Sequence, residues 1–346
     1  MVSLTVFLVA FFLTIIFVPI VRKIAYRIEA LDWPGGRKVH SEATPLLGGV
    51  AIYASVLVTL LIFAPHREIK LLQPALISSF FIVVLGIIED LKGLRAEVRF
   101  FVQSLIAVFL VTSGVRISFL PAVWWADICE VILTIIWIVG LINAFNYLDG
   151  LDGLASGSAV INLFFFSVIL YTASQYYLSL LAVALIAGCL GFLPYNFLKS
   201  NKIFLGESGS TLLGFFLAYL GLEGQWATDG ILRLFIPILI LGVPIFDMVF
   251  TTILRFKEGK VASVIEWFRY SGKDHFHHYL VDVGLNPTNA VIFIYFVNIS
   301  LGLSAVMVSN DTFLEGIITL YQAAIIFVLV AILMVVGKRH RSGWTK

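Results

Sequence analysis

Charged residues are scarce in this chain. Asp, Glu, Lys and Arg together make up 13% of its 346 residues, against about 25% in soluble domains. That shortage excludes an ordinary soluble protein. With 60% of the residues hydrophobic, the solvent of most of the chain is lipid. Cysteine is scarce as well. Cys129 and Cys189 stand alone in separate apolar stretches. They make no metal-ligand spacing and no disulfide framework, so they say nothing of the redox compartment. Low-complexity segments and internal repeats are absent. So is the pattern of a cleaved leader, which places positive charge before its apolar run and a small-residue cleavage site after it. Here the apolar run 2–21 comes first, and Arg22 and Lys23 follow it. That order predicts a retained first helix with its N-terminus outside.

What the chain has is a succession of long apolar runs. A helix crosses a bilayer with about 20 apolar residues. Eleven segments approach that length: 2–21, 48–64, 73–89, 99–114, 128–146, 156–173, 177–195, 208–223, 231–251, 289–308 and 317–337. Backbone polar groups have no water to bond in the hydrocarbon core, and these runs are too continuous for barrel strands. The prediction is an all-α, polytopic helical bundle forming one membrane domain over residues 1–346. With the N-terminus outside, 19 of the 23 Lys and Arg residues fall on one side. Cytoplasmic loops are the basic ones. The expected cytoplasmic segments are therefore 22–47, 90–98, 147–155, 196–207, 252–288 and the C-terminal tail.

Five polar clusters fall on that same predicted face. The first is Asp32-Trp33-Pro34-Gly35-Gly36-Arg37-Lys38-Val39-His40. Cationic side chains with glycine-exposed amides suit a phosphate; a plain basic juxtamembrane loop explains the composition equally well. The second is Glu89-Asp90, two acids placed against the dipole at a helix C-terminus, or simply solvated end charges. The third is Asn143, Asn146, Asp149 and Asp152, three residues apart. Helical spacing would put neighbours on one face. Intramembrane polar residues default to function, and oxygen donors suit a hard cation such as Mg²⁺. Asp-Gly turn chemistry accounts for the two aspartates but not for the asparagines. The fourth is Asn196 with Phe204-Leu205-Gly206-Glu207-Ser208-Gly209-Ser210, an acid in a Gly/Ser turn opening an apolar helix. It could hold a metal and present amides to a phosphate, or Ser208 or Ser210 could be a helix cap. The fifth is Lys273-Asp274-His275-Phe276-His277-His278, which suggests anion or metal chemistry. Zinc is a weaker rival, because it prefers cysteines or wider histidine spacing. Asp247, in Pro244-Ile-Phe-Asp247, either lines the site or pairs with Arg255.

Taken together the clusters resemble the polyprenyl-phosphate N-acetylhexosamine-1-phosphate transferases, from Asp32 to His278 and in the family's order. Asn143-x-x-Asn146-x-x-Asp149-Gly-Leu-Asp152-Gly153 and Phe204-x-Gly206-Glu207-Ser208-Gly209-Ser210 carry most of the likeness. Arg37-Lys38-Val39-His40, Pro244-Ile-Phe-Asp247 and His275-Phe-His277-His278 are similar to the branch that uses UDP-GlcNAc or related hexosamines. The branch that transfers phospho-MurNAc-pentapeptide has three consecutive histidines, which Phe276 interrupts here. The chain departs from the family at Glu89 and Glu207, where aspartate is usual, and at Gly272, where an acid is usual.

The resemblance implies transfer of a sugar 1-phosphate from a UDP-sugar to undecaprenyl phosphate at the inner face of the plasma membrane. It implies Mg²⁺ or Mn²⁺ as cofactor, with Glu207, Asn146 and Asp149 as its ligands. It makes Glu89, Asp90, Asp149, Asp152, His277 and His278 catalytic. It gives substrate binding to Arg37, Lys38, His40, Asn143, Asn146, Phe204, His275 and Asp247, with Phe204 against the uracil. A homodimer is one assembly open to it. A transporter would carry its charges near the bilayer midplane; here the acids are predicted at helix ends. A non-catalytic lipid-binding protein is the other alternative.

Overall fold

The computed structural model describes residues 2–33, 43–121, 123–197, 201–226, 230–263, 266–267, 270, 272, 274–309 and 313–343. Helices dominate it, as the apolar runs require. Two compact units divide the chain, Met1–Gly224 and Gln225–Lys346. Seven helices among the described residues are long and apolar enough to cross a membrane.

The first unit contains α1 (Val2–Arg27), α2 (Gly48–Phe63), α3 (His66–Lys92), α4 (Ala96–Thr112), α5 (Trp124–Leu148), α6 (Leu154–Thr172), α7 (Tyr176–Phe197) and α8 (Glu207–Glu223). Each predicted span from 2–21 to 208–223 therefore has its helix. Ala64 and Pro65 break α2 from α3, and Gly93, in a left-handed conformation with φ +63°, ends α3. The residue before a proline favours extended backbone, as Ala64 adopts, and glycine adopts positive φ without strain.

Helix α8 is the axis of this unit. Every residue from Ser208 to Gly221 is buried, and α2, α3, α5 and α6 pack around it. Small residues make the approach possible. A β-carbon on Gly86 would lie 2.6 Å from Ser208 N, and one on Gly214 would lie 2.7 Å from Leu141 O. Gly49 meets Gly209 backbone to backbone in the same way. In lipid, where apolar burial does not by itself drive helices together, such small-residue seams supply the contact.

One feature is not helical. Leu31–Asp32 (β1) pairs antiparallel with Thr44–Pro45 (β2), Leu31 opposite Pro45 and Asp32 opposite Thr44. This short ribbon joins the two ends of the first basic loop. Phe204 N then donates to Pro45 O (2.8 Å), while Gly48 N and Gly49 N donate to the carbonyls of Phe204 and Leu205. The stem of the first cluster is thus fastened to the fourth. Arg37, Lys38 and His40 themselves lie outside the described residues.

The second unit contains α9 (Gly230–Ile240), α10 (Gly242–Lys257), α11 (Phe276–Asp282), α12 (Pro287–Ser309) and α13 (Phe313–Gly343). The run 231–251, expected as one helix, is two helices that meet at Leu241 with a bend of 80°. Pro244 explains the break. It has no N–H to continue the ladder to Ile240, but it is tolerated in the first turn of a new helix. Gly242 fits the corner because a β-carbon there would press on Phe327 and Leu301, at 2.8 and 2.9 Å.

Candidate active site

In the first unit three of the sequence clusters meet at the N-terminal end of α8. Glu207 opens that helix. Asn146, in the last turn of α5, donates its Nδ2 to Glu207 Oε2 at 2.6 Å. Asn146 Oδ1 accepts from Ser210 Oγ at 3.3 Å, and that hydroxyl also donates to Gly206 O at 3.1 Å. Neither serine caps the helix. The cap comes from α3: Asp90 Oδ1 accepts from Glu207 N at 2.8 Å and Asp90 Oδ2 accepts from Ser208 N at 3.2 Å. Gly206, with φ +74°, leaves the room this carboxylate occupies; a β-carbon there would sit 2.7 Å from Asp90 Oδ2. The amides that the sequence offered to a phosphate at positions 207 and 208 are therefore bonded to Asp90.

Glu89 points its carboxylate elsewhere. One oxygen accepts from Leu94 N and the other lies 3.3 Å from Arg99 Nη1. The same nitrogen lies 3.2 Å from Glu207 Oε1. Arg99, on α4, thus spans two of the acids that the sequence singled out. One turn further along, Gln103 Oε1 accepts from Asn143 Nδ2 at 2.8 Å, and Val139 O accepts from that nitrogen too. Asn143 is held in place and its amide oxygen is the group it has to offer. The sequence reading missed Arg99 and Gln103. Arg99 entered only the tally of basic residues, although two polar residues four apart in an apolar run were a usable signal.

Asp149 caps the C-terminus of α5. Its carboxylate has no hydrogen-bond or ion-pair partner among the described residues. Burial first, and then the charges of Glu207, Asp90 and Asp152, push its pKa up to about 8. Asp152 is exposed and pairs with Lys202 Nζ at 2.5 Å. That ammonium also lies 5.1 Å from the centre of the Phe204 ring, so a cation covers the ring that the resemblance gives to uracil. Asn196 ties the two loops together: its Oδ1 accepts from Gly153 N at 2.6 Å and its Nδ2 donates to Ile203 O at 3.2 Å. It is a strut between clusters.

The donor set suits a hard divalent ion. Glu207, Asp149 and Asn146 supply oxygens, and the five carboxylates at this end of the unit pair with only two cations, Arg99 and Lys202, among the described residues. Among the described residues, no group of three His, Cys, Asp or Glu converges there as a ready-made shell. Mg²⁺ commonly binds one or two carboxylates and completes its octahedron with water and substrate phosphate. The residues fit that habit.

The second unit holds the histidine cluster. Arg255, 1% exposed, forks onto Asp274, with Nε at 2.9 Å from Oδ2 and Nη2 at 2.7 Å from Oδ1. Burial works against the Asp274 charge, but this fork outweighs it and holds the carboxyl below its usual range. Asp247 does not pair with Arg255. Its Oδ2 is 2.9 Å from His275 Nδ1, and its Oδ1 accepts from Phe276 N at 2.6 Å. His275 Nε2 faces Arg255 Nη2 at 3.1 Å. A guanidinium only donates, so Nε2 accepts and the ring proton sits on Nδ1, toward Asp247. Both His275 nitrogens are therefore committed, and His275 is not available to zinc or to a substrate. His277 is the opposite case. It is 1% exposed, and neither ring nitrogen has a hydrogen-bond partner among the described residues. Burial, with His278 and His275 beside it, holds its pKa well below the usual histidine value, so it stands neutral, with one donor and one acceptor to give. Its neighbour His278 packs ring to ring with it at 4.1 Å. Lys273 lies outside the described residues.

Residues 72–225 match the family described as "Glycosyl transferase family 4". The chain is 34% identical over 337 residues to a probable undecaprenyl-phosphate N-acetylglucosaminyl 1-phosphate transferase of Bacillus subtilis, covering 96% of this chain and 90% of that one. It is 30% identical to a decaprenyl-phosphate N-acetylglucosaminephosphotransferase of Mycobacterium leprae, with 85% and 80% covered. It is 26% identical to an undecaprenyl-phosphate alpha-N-acetylglucosaminyl 1-phosphate transferase of Yersinia pestis, with 92% and 88% covered.

Proposed function

Since the chain belongs to glycosyl transferase family 4, we infer that it transfers N-acetylglucosamine 1-phosphate from a UDP-sugar to undecaprenyl phosphate, releasing UMP. This would be the first step of a lipid-linked cell-envelope glycan. The observation that carries the reading is the junction of Glu89-Asp90, Asn143–Asp152 and Phe204–Ser210 around the first turn of α8. Three clusters far apart in sequence make one acidic, amide-lined end of a membrane helix bundle. The acids lie at helix ends, which favours an interfacial enzyme over a transporter with midplane charges. The three relatives compared above are named for N-acetylglucosamine 1-phosphate transfer, and so the pentapeptide donor is not favoured.

The reaction brings two anions together. An oxygen of the lipid phosphate attacks the phosphorus beside the sugar, and the bond to UMP breaks. The site must therefore offset charge and fix an in-line geometry. We assign Mg²⁺ or Mn²⁺ to Glu207 and Asp149, with Asn146 turned to offer its oxygen. When bound, the ion would supply Lewis-acid stabilisation of the charge that moves to the leaving group. Asn143 offers its oxygen to the donor. Asp152 holds the Lys202 ammonium that covers Phe204, and the nucleotide must move that ammonium from the ring face to stack there. Asp90 acts through α8, whose first turn it holds. His277 and His278 offer donors for phosphate oxygens, while Asp247 and His275 hold the loop that carries them. Arg37, Lys38 and His40 would bind phosphate from the first loop.

The membrane reading is finer than helix lengths alone. We take the helices α1–α8, the bent pair α9–α10, α12 and α13 as eleven crossings. The N-terminus would lie outside, and the basic loops with the site would lie in the cytoplasm. Purified protein with undecaprenyl phosphate, UDP-GlcNAc and Mg²⁺ should release UMP and form a lipid-linked sugar. UDP-MurNAc-pentapeptide should give none. UMP released at a comparable rate from the pentapeptide donor would reverse the choice of donor.

A further inference from the structure

Among the described residues, the two arginines paired with acids of the polar clusters, Arg255 and Arg99, are built differently. Arg255 grips one carboxylate with two nitrogens, at 2.7 and 2.9 Å, and is closed off from solvent. That is the bidentate fork by which arginine makes a fixed structural pair. Arg99 makes no fork. A single nitrogen, Nη1, is shared between Glu89 and Glu207 at 3.3 and 3.2 Å, and its Nε is buried without a hydrogen-bond partner among the described residues. Its contacts are longer, its donors are incompletely used, and it has two alternative acids within reach.

Glu207 has no spare oxygen. Oε2 accepts from Asn146 and Oε1 faces Arg99. Asn146 can turn its amide and become a ligand. Arg99 has no acceptor atom and cannot. A guanidinium and a divalent cation drawn to the same Oε1 repel each other at close range, so each weakens the other's hold on it. We propose that Arg99 and the divalent cation compete for Glu207, with Glu89 as the second seat that keeps Arg99 at the site when it yields. The released guanidinium, one carboxylate away, then has Nε and Nη donors for a phosphate oxygen. The inference rests on the assignment of the metal to Glu207 made above. Its consequence is specific: the arginine weakens metal binding by occupying the ligand, and so a metal held by the protein alone should be loose. Substrate phosphate, which gives Arg99 another anion to bind, should tighten it.

Direct Mn²⁺ binding separates this from a role in merely orienting Glu207. The full chain is purified in detergent, and free Mn²⁺ is followed by electron paramagnetic resonance, without lipid or nucleotide. Arg99→Gln removes the competing charge and should tighten Mn²⁺ a few-fold to about tenfold, the size of a partly screened contact between like charges. Arg99→Lys keeps the charge and should stay within about twofold of the parent on the same reasoning. Adding UDP should tighten Mn²⁺ in the parent more than in Arg99→Gln. A Mn²⁺-induced rise in melting temperature reports binding by folded protein for each variant. Affinity unchanged or weaker in folded Arg99→Gln, with binding still dependent on Glu207, overturns the competition alone. Binding that persists undiminished in Glu207→Gln removes the metal assignment and the competition with it.

Discussion

Glu207 and Asp149 divide the work of the acidic end between a carboxylate that is fully engaged and one that is not. Glu207 is held by Asn146 and Arg99, so its reach is set. Gln at that position keeps the size and one oxygen but loses the charge. Glu207→Gln should lower the initial rate by about 100-fold or more, since even groups standing behind metal ligands cost about 10- to 100-fold. Glu207→Asp keeps the charge, shortens the side chain by one methylene and should retain much more. Rates against Mg²⁺ concentration at saturating UDP-sugar decide it, and a near-normal Glu207→Gln enzyme would remove this residue from the metal site. Asp149 makes the complementary prediction. Its carboxyl, raised to about 8 by burial and by the neighbouring acids, is protonated at neutral pH and gains its charge as pH rises. A ligand must be deprotonated to bind. Activity at low Mg²⁺ should therefore climb toward pH 8, and the climb should move to lower pH as Mg²⁺ increases. Asp149→Asn should lose most activity and flatten the profile. A parent profile that does not respond to Mg²⁺ would show that Asp149 titrates apart from the metal.

The elements show why these side chains stay where they are. Helix α8 begins inside the bundle, where its first amides have no water to bond. Asp90 of α3 supplies both acceptors from across the interface. A lost cap typically costs about 1 kcal/mol. Asp90→Ala should therefore lower the melting temperature in detergent and also loosen Glu207, the residue whose amide it holds. Both stability and activity should fall, with the larger fall in activity. A variant with parental melting and parental rate would show that the cap is dispensable. The seam beside it is tighter still. Gly86 lies against Ser208 so closely that a single methyl group must displace α3 or α8. Overpacking of this kind costs about 1–3 kcal/mol. Gly86→Ala should be destabilised by that order in thermal melting, while Gly93→Ala, where a β-carbon meets nothing within 4 Å, should cost only the strain of its positive φ.

At the scale of the whole molecule the testable matter is orientation. Arg67 lies at the start of α3 and Lys257 at the end of α10, both exposed. In a Cys129→Ser background, a cysteine at position 67 should react with a membrane-impermeant maleimide on intact cells, and one at position 257 only after the cells are opened. The reverse pattern would put the acidic end of the first unit outside, away from cytoplasmic nucleotide. The topology argument uses charge that the bilayer reads directly, so it needs no coordinates. It also places every polar cluster on one face, and in the first unit the three clusters that meet at α8 do share one end.

The sequence by itself determined the helical class, because a chain this apolar must satisfy its backbone within each segment. It also determined the identity of the acids and asparagines, because polar residues in such runs are too costly to be incidental. It could not assign their partners. Asp90 reads as a catalytic acid beside Glu89, yet its oxygens cap a helix that begins 117 residues later. Asp247 reads equally as a site residue and as a partner for Arg255; in the fold it holds His275, and Arg255 holds Asp274. Arg99 reads as one more positive-inside charge and turns out to span Glu89 and Glu207. Hydropathy and charge are properties of single positions summed along a chain, and the bilayer responds to those sums. Hydrogen bonds and ion pairs depend on distances of about 3 Å between atoms, and only tertiary packing, such as that of α3 and α5 on α8 with α4 against both, brings those atoms within that range.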